Sequence, residues 1–85
     1  MEIVFLPKAN EHLTFWVTTG NKVILKRIAL LTEAILQDPY HGIGKPEALK
    51  YQLTGKWSRR ITDEHRYIYQ IENNTLKVYS LKGHY

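Results

Sequence analysis

Apolar residues in the first half of the chain recur at a helical spacing over two successive segments. A short strand over residues 2–6 comes first, and Pro7 then suits the first turn of a helix, where its missing N–H is not needed. The next apolar positions fall at i, i+4, i+7 and i+8, as expected for an amphipathic helix. They are Ala9, Leu13, Trp16 and Val17.

A second helix is predicted directly after the first. Gly20 is expected to end the first helix, and Asn21 can cap the second. The apolar stripe of the second helix consists of Ile24, Ile28, Leu31 and Ile35. It runs to about Gln37, because Asp38 precedes Pro39 and a residue before proline avoids the helical region. With one short loop between them, the two helices are expected to form a hairpin.

The second half of the chain changes to shorter apolar runs between turn residues, which is typical of strands. Two glycines and two prolines make residues 39–47 a loop. Strands are predicted over residues 49–53, 57–62, 66–72 and 75–81, with Thr54–Gly55 and Asn73–Asn74 as turns. A strand, two helices and an antiparallel meander predict an α+β fold, one domain over residues 1–85, with the helices packed on one face of the sheet.

The register of the last hairpin predicts where the C-terminus lies. If Glu72 pairs with Thr75 across the turn, Arg66 lies opposite Leu81, and His84 follows one short step beyond Arg66. The core face is then expected to hold Tyr67, Tyr69, Ile71, Leu76, Val78 and Ser80. The opposite face is half polar and basic, with Arg66, Ile68, Gln70, Lys77, Tyr79 and Leu81. Strict alternation would turn His84 toward the core, so a bulge at the preceding glycine is expected to redirect it.

The net charge of +4 is unevenly distributed. Residues 45–85 carry eight Lys and Arg against four Asp and Glu, whereas residues 1–44 carry four of each. This excess favours a phosphate-bearing partner or an acidic protein, and a basic face kept for solubility is an equal alternative.

The absence of cysteine excludes disulfides and thiolate metal sites. No segment approaches the roughly 20 apolar residues of a membrane span or has the features of a signal peptide, so a cytoplasmic protein without membrane contact is expected.

Four side chains, Glu47, Arg66, His84 and Tyr85, together could cleave RNA without a metal ion or a cofactor. A carboxylate can take the proton of a ribose 2′-OH, and an imidazole can return a proton to the departing 5′-oxygen. An arginine can hold the phosphate as its charge develops, and a tyrosine can stack on a base. Each residue alone has an ordinary structural alternative, such as an ion pair of Glu47 with a nearby lysine. The set is therefore more informative than any member.

The segment Trp-Ser-Arg-Arg-Ile at residues 57–61 suits a phosphate backbone and a stacked base. It fits equally well as an ordinary strand with Trp57 and Ile61 in the core. No pair of histidines has metal-ligand spacing, no Walker-type phosphate loop is present, and no serine lies in a nucleophile elbow.

Three stretches of the chain carry a family resemblance. They are Gly-Ile-Gly-Lys-Pro-Glu-Ala-Leu-Lys at residues 42–50, Leu-Thr-Gly-Lys-Trp-Ser-Arg-Arg-Ile-Thr-Asp-Glu-His-Arg at residues 53–66, and the terminal His84–Tyr85. With the chain length and the helical hairpin, they resemble the YoeB (Txe) toxins of the RelE/ParE superfamily from end to end. The resemblance implies a RelE-like fold and a type II toxin–antitoxin system. It also implies an mRNA interferase, an endoribonuclease that cuts the message in the ribosomal A site.

The resemblance assigns roles to the four candidate residues position by position. It implies that Glu47 is the general base, that His84 is the general acid, and that Arg66 stabilises the scissile phosphate. It implies that Tyr85 helps to position the substrate.

The resemblance also implies a set of RNA- or ribosome-binding residues. Lys50 and Arg60 are similar to basic residues that support substrate binding, and Arg59 and Lys82 are expected to join them. One departure is that many relatives have Arg-Tyr before the terminal His-Tyr, where this chain has Lys82–Gly83. Lysine keeps the charge but lacks the bidentate fork of arginine, so the finer substrate contacts are expected to differ.

The implied partners are the 70S ribosome, mRNA and a YefM/Axe-type antitoxin whose C-terminal segment wraps the toxin. Operator DNA would be bound only through the antitoxin complex, and a homodimer is compatible with the resemblance. Two other hypotheses remain: a non-catalytic ribosome- or RNA-binding translation blocker, and a module that only binds an antitoxin. Neither explains why Glu47, Arg66 and His84 occur together.

Overall fold

The computed structural model describes residues 1–84, which form two helices and a five-stranded sheet. Strand β1 (Glu2–Phe5) precedes helices α1 (Pro7–Thr18) and α2 (Lys22–Gln37). The later elements are β2 (Glu47–Ala48), a 3₁₀ turn (Tyr51–Leu53), β3 (Trp57–Arg60), β4 (Arg66–Glu72) and β5 (Thr75–Ser80). The sheet order is β1-β5-β4-β3-β2, in which β1 runs parallel to β5 and the other neighbours are antiparallel. The predicted α+β fold class is confirmed.

Both helices begin and end where the sequence predicts. Pro7 occupies the first helical position of α1, and the side chain of Asn21 caps α2 by accepting the Ile24 N–H at 3.1 Å. The N–H of Asp38 donates to Ala34 O, and Asp38 itself is extended, which ends α2 before Pro39. Within residues 1–84, neither helix is long and apolar enough to cross a membrane.

One core fills the space between the helices and the sheet. The buried stripes of both helices pack on the aromatic face of β4 and the apolar positions of β5; the buried members are Ala9, Trp16, Ile24, Ile28, Leu31, Ile35, Ile61, Tyr67, Tyr69, Leu76, Val78 and Leu81. The predicted stripe of α1 is wrong at one position, because Val17 is 60% exposed and lies outside this core. Burying apolar surface at about 25 cal/mol per Å² is the main force that holds the helices on the sheet.

The turn between β4 and β5 is as predicted. Asn73 and Asn74 have φ values of 52° and 57°, the left-handed conformation of a two-residue hairpin turn, and Glu72 pairs with Thr75. The pairing changes further along, because Tyr69 pairs with Val78 whereas Ile68 pairs with Ser80.

A bulge in β5 therefore corrects the predicted register. Tyr79 is the extra residue, and it shifts the pairing by one position. Leu81 consequently turns into the core, where it is 0% exposed, instead of lying on the polar face opposite Arg66. The Arg66 N–H donates to Gly83 O at 3.0 Å, so Arg66 lies opposite Gly83 and not opposite Leu81. The Tyr79 bulge accounts for one of these two positions, and the other shift lies between Ser80 and Gly83, where Gly83 has a φ of 77°.

The predicted strand over residues 49–53 is wrong. The strand next to β3 is β2, which begins at Glu47 inside the predicted loop, and residues 51–53 form the 3₁₀ turn. Tyr51 has a φ of 59°, and its carbonyl accepts hydrogen bonds from the N–H and the hydroxyl of Thr54. These local bonds replace a strand ladder. Strand β3 also ends at Arg60 and not at residue 62, because the Thr62 hydroxyl accepts the N–H groups of Glu64 and His65 in a tight turn.

Candidate functional site

The strand register places three of the predicted site residues on one face of the sheet. Glu47 pairs with Ser58, Ser58 pairs with Ile68, and Arg60 pairs with Arg66. Directly paired residues project from the same face, and residues two apart on one strand do so as well. The side of the sheet opposite the helices therefore carries Glu47, Arg60 and Arg66, and it is called the open face below.

Glu47 lies on the edge strand of this face and is exposed. It is two strands away from β4 and offset from Arg66 by two residues along the strand direction. With strands 4.7–4.9 Å apart and a rise near 3.4 Å per residue, the Cα atoms of Glu47 and Arg66 are about 12 Å apart. Glu47 and Arg66 thus lie on one face of the sheet, two strands apart.

Arg66 is held by the turn that precedes β4 and is only 9% exposed. Its Nη1 donates to the carbonyl oxygens of Thr62 at 2.8 Å and Asp63 at 3.0 Å, with a longer contact of 3.4 Å to His65 O. Among residues 1–84 no hydrogen bond is found to its Nε or Nη2. The guanidinium is thus fixed through one nitrogen, while its two-nitrogen edge remains suited to a phosphate.

His84 reaches the same turn from the other end of the chain. Its Nε2 lies 3.2 Å from Asp63 O, the carbonyl that also accepts from Arg66. The side chain is exposed, and it lines a cleft of about 660 Å³ together with Leu53, Lys56, Ile68 and Tyr79. The structure therefore brings His84 and Arg66 together, with Glu47 on the same face. Tyr85, the fourth predicted residue, lies outside the described residues.

The floor of this cleft combines apolar and basic groups. Ile68 is 5% exposed, and the Tyr79 hydroxyl donates to Gln70 at 3.0 Å. The Nζ atom of Lys56 lies 4.5 Å from the centroid of the Tyr79 ring. An aromatic surface beside ammonium and guanidinium groups suits a nucleobase and its phosphate. Lys56 and Tyr79 were missed as site residues, because their proximity depends on the bulge and on the turn before β3.

Arg59 was predicted to bind RNA or the ribosome, and the structure shows that this prediction is wrong. It is 0% exposed and faces the helices, since β3 alternates and Arg60 faces the open side. Its guanidinium donates to three carbonyl oxygens, those of Asp38, His41 and Ile43, and its Nε donates to the Tyr69 hydroxyl. Because its side chain is buried, Arg59 is not available to RNA. Its hydrogen bonds instead hold the loop after α2, which leads into β2 and Glu47.

The other three predicted basic residues are exposed but lie in different places. Lys50 follows β2 beside Glu47, and Arg60 lies on the open face. Lys82 turns toward α1, with its Nζ atom 4.5 Å from the ring centroid of Phe15. In this arrangement Arg60 is the predicted basic residue that flanks Arg66 directly, through cross-strand pairing.

Two histidines that the sequence did not single out contact the C-terminal segment. The Nδ1 of His12 accepts the Leu81 N–H at 3.0 Å, and the Nδ1 of His65 accepts the Gly83 N–H at 2.8 Å. The His65 ring packs edge-on against Trp16, with centroids 4.8 Å apart. Burial lowers the pKa of His12, and the positive charges of Lys8 and Lys82 lower it further. No local sequence signal indicates these contacts, because they join residues far apart in the chain.

Buried tyrosines support the opposite side of the sheet. Burial raises the pKa of Tyr67 to about 12 and also raises that of Tyr69. The Tyr67 hydroxyl lies 2.7 Å from Thr32 Oγ1. Within residues 1–84, no three His, Cys, Asp or Glu side chains are arranged to hold a metal ion.

Comparison with known proteins identifies close relatives over the full length. Residues 5–85 match a family described as the YoeB-like toxin of bacterial type II toxin–antitoxin systems. Toxin YoeB of Synechocystis is 47% identical over 85 residues, covering 100% of this chain and 98% of the relative. A YoeB/ParE toxin from Agrobacterium tumefaciens superposes with a TM-score of 0.95 at 34% identity, with full coverage of both chains.

Two solved structures show relatives in assemblies. A YoeB–YefM complex from Staphylococcus aureus contains a chain that matches with a TM-score of 0.90 and 42% identity, covering 100% of this chain and 98% of that one. A YoeB dimer from the same organism matches with a TM-score of 0.90 and 41% identity over the same shares.

Proposed function

The chain belongs to the family of YoeB-like toxins of bacterial type II toxin–antitoxin systems, and we propose that it is a ribosome-dependent mRNA interferase. In this proposal it enters the ribosomal A site and cuts the message there, which stops translation. The observation that carries the proposal is the shared Asp63 carbonyl, which brings Arg66 and His84 together on the open face that also carries Glu47.

Each side chain has a distinct task in the proposed reaction. The Glu47 carboxylate accepts the proton of the ribose 2′-OH, and that oxygen attacks the adjacent phosphorus. The P–O5′ bond breaks as the His84 imidazolium donates a proton to the departing 5′-oxygen. The products are a 2′,3′-cyclic phosphate and a 5′-OH end, so no water and no external nucleophile enters this step. The requirement for a 2′-OH restricts the chemistry to RNA.

Arg66 stabilises charge on the phosphate during this step. Its Nη1 is held by the turn carbonyls, so the remaining donors are already oriented and need little reorganisation when the phosphate arrives. Arg60 extends the positive charge along the same face, and the Lys56–Tyr79 pair offers a surface for a base. Tyr85 is retained in the proposal as a substrate-positioning residue on the strength of the family resemblance.

The proposed partners follow from the family and from the charge. We propose a YefM/Axe-type antitoxin, because the related Staphylococcus aureus toxin was solved with YefM. An acidic antitoxin segment laid over the open face would neutralise Arg60 and Arg66 and cover the site. A homodimer is also proposed from the related YoeB dimer, and operator DNA would be reached only through the antitoxin complex.

Primer extension on an mRNA in purified translating ribosomes tests the activity. The wild type should produce discrete cuts at the A-site codon, whereas Glu47→Ala and His84→Ala should produce none while keeping the melting temperature of the wild type. Matched controls are Glu33→Ala and His41→Ala, which remove an exposed carboxylate and an exposed imidazole elsewhere on the molecule. Both controls should cut like the wild type.

The same assay separates the alternatives. Stalled ribosomes with intact message would contradict the nuclease proposal and favour a non-catalytic block of the A site. Normal translation with tight antitoxin binding would favour an interaction module. Cuts that persist in both site variants would show that another group performs the acid–base chemistry.

A further inference from the structure

The segment that leads to His84 is fastened by two histidine nitrogens acting as acceptors. Leu81 N–H donates to His12 Nδ1 at 3.0 Å, and Gly83 N–H donates to His65 Nδ1 at 2.8 Å. The Ser80 hydroxyl makes a third, longer contact of 3.4 Å with His12 Nδ1. The two backbone bonds lie immediately after β5, whose last residue is Ser80.

An imidazole can accept a backbone N–H only through an unprotonated nitrogen. Both histidines must therefore be neutral, with the proton on Nε2. Once an imidazole is protonated, both of its nitrogens carry hydrogen, so the acceptor becomes a second donor that faces the same N–H. Protonation of either histidine thus removes one hydrogen bond to the segment and replaces it with a repulsive contact between two N–H groups.

Other contacts to this segment do not change with protonation near neutral pH. Trp16 Nε1 donates to Leu81 O at 3.0 Å, and Arg66 N–H donates to Gly83 O at 3.0 Å. The Leu81 side chain is buried in the core. Protonation should accordingly loosen residues 82–84 more than Leu81 itself, without unfolding the sheet.

The surroundings of His12 and His65 carry charges of both signs. His12 is influenced by Lys8 and Glu11 on its own helix, by Lys82 on the terminal segment, and by His65. The ring of His65 lies against Trp16, its carbonyl accepts from Arg66, and Asp63 and Glu64 precede it in the turn. A positive charge on His65 also lowers the pKa of His12.

We propose that His12 and His65 are positioning residues for His84, and that they form a latch that holds the C-terminal segment when neutral and releases it when protonated. The existence of the latch is argued from the hydrogen bonds of His12 and His65 alone. The consequence for catalysis rests on the proposed function, in which His84 is the general acid.

The direction of the pH effect follows from the lowered pKa of His12. The unfolded chain takes up a proton at a higher pH than the native latch does, so the latch contributes fully above about pH 6.5 and is lost as the pH falls below it. The Leu81 N–H should therefore be held by His12 at pH 7.5 and released toward pH 5.5.

Amide hydrogen exchange by NMR tests the latch without any assay of activity. Protection factors of Leu81 and Gly83 are measured at pH 7.5 and 5.5, each corrected for the intrinsic exchange rate. The reference is the Leu6 amide, which donates to Val78 O at 2.9 Å at the other edge of β5. Protection of Leu81, whose N–H is held by His12, should fall by up to about tenfold toward pH 5.5, while that of Leu6 stays constant. Equal losses at Leu81 and Leu6, or no loss at either, would overturn the proposal.

Asparagine variants identify the titrating group. In an asparagine the amide oxygen stands at the same distance along the side chain as Nδ1, accepts an N–H, and does not titrate. His12→Asn should keep Leu81 protected at pH 5.5, and His65→Asn should keep Gly83 protected at pH 7.5, because its amide oxygen replaces Nδ1 as the acceptor. His41→Asn, which changes an exposed histidine beside Asp38, should leave the pH dependence of Leu81 unchanged. A pH dependence that survives in the double variant His12→Asn/His65→Asn would refute the latch.

Cleavage kinetics then test the positioning role. At pH 7.5, His12→Ala/His65→Ala should lower the cleavage rate constant at saturating ribosome concentration by at least about tenfold, and His12→Asn/His65→Asn should restore most of it. Alanine variants that cut like the wild type, in a protein whose exchange data show a released segment, would overturn the positioning role. If the wild type itself does not cut, the proposed function fails, while the exchange experiment still decides whether the latch exists.

Discussion

Arg66 and His84 meet at one backbone oxygen, the carbonyl of Asp63. Arg66 Nη1 donates to it at 3.0 Å, and His84 Nε2 lies 3.2 Å from it. The tight turn over residues 62–65, closed by the Thr62 hydroxyl, thus sets the spacing between the proposed phosphate-binding group and the proposed general acid. Backbone carbonyls of this turn therefore organise the site.

The acid–base roles predict a bell-shaped pH profile for kcat/KM of A-site cleavage. An ionised Glu47 and a protonated His84 are both required, so the rate should fall at each end of the range. Each of Glu47→Gln and His84→Asn should lower the rate by roughly 10²–10⁴-fold. In the His12→Asn/His65→Asn background, which removes the pH dependence of the latch, the residual activity of Glu47→Gln should lose the acid limb of the profile, and that of His84→Asn should lose the alkaline limb. Unchanged limbs in both variants would contradict the assignment.

Adjacent arginines on β3 should separate stability from activity. Arg59→Met leaves the carbonyls of Asp38, His41 and Ile43 without their buried donor, so the free energy of unfolding should fall by roughly 3 kcal/mol or more. Arg60→Met changes an exposed side chain and should alter stability by less than about 0.5 kcal/mol.

Denaturant unfolding and mRNA cleavage, measured on both variants, check this separation. Arg60→Met should cut more slowly than the wild type while remaining equally stable. A stable Arg59→Met variant would show that the buried guanidinium is dispensable for the loop after α2.

Gly44 should be far less tolerant of alanine than Gly20, although both have positive φ. A Cβ at Gly44 would lie 2.8 Å from Leu31 Cδ2 and 3.1 Å from Arg59 Cβ, whereas nothing lies within 4 Å of one at Gly20. Gly20→Ala should cost only the backbone strain, about 1–2 kcal/mol. Gly44→Ala should cost a further 1–3 kcal/mol or so from overpacking. The free energy of unfolding is measured by thermal or denaturant unfolding. Equal decreases for Gly20→Ala and Gly44→Ala would show that the core beside α2 rearranges to accept the added methyl group.

Alkaline pH should destabilise the fold through Tyr67. Its native pKa of about 12 exceeds the unfolded value of 10.0, so between these values the unfolded chain loses a proton that the native state keeps. Stability therefore falls as the pH rises through this window, by about 2–3 kcal/mol in total. Unfolding of the wild type and Tyr67→Phe at pH 9 and pH 11.5 should give a smaller pH-dependent loss in the variant. The same decrease in the free energy of unfolding in both proteins would assign the alkaline destabilisation to another group, such as Tyr69.

The local parts of the fold were predictable because their causes are local. Pro7 and the Asn21 cap define the helix starts, and Asp38–Pro39 ends α2. The two asparagines of the last turn set the pairing of Glu72 with Thr75. Each depends on the dihedral preference or hydrogen bond of a few neighbouring residues, which a sequence displays directly.

The errors have two kinds of cause. The alternating residues 49–53 fit a strand equally well, and the local hydrogen bonds from Thr54 to Tyr51 make residues 51–53 a 3₁₀ segment. The other errors involve partners that are distant in sequence. Arg59 and Arg60 are equivalent in sequence, yet strand alternation and the loop after α2 bury the first and expose the second.

Residue types and motifs were therefore enough to indicate the family, the helical hairpin and a candidate set of Glu47, Arg66 and His84. They could not give the arrangement of that set. The bulge at Tyr79 shifts the end of the chain along β4, and His12, His65 and the turn carbonyls then fix where His84 lies. These contacts join residues separated by up to 69 positions, and their energies exist only once the helices have packed on the sheet.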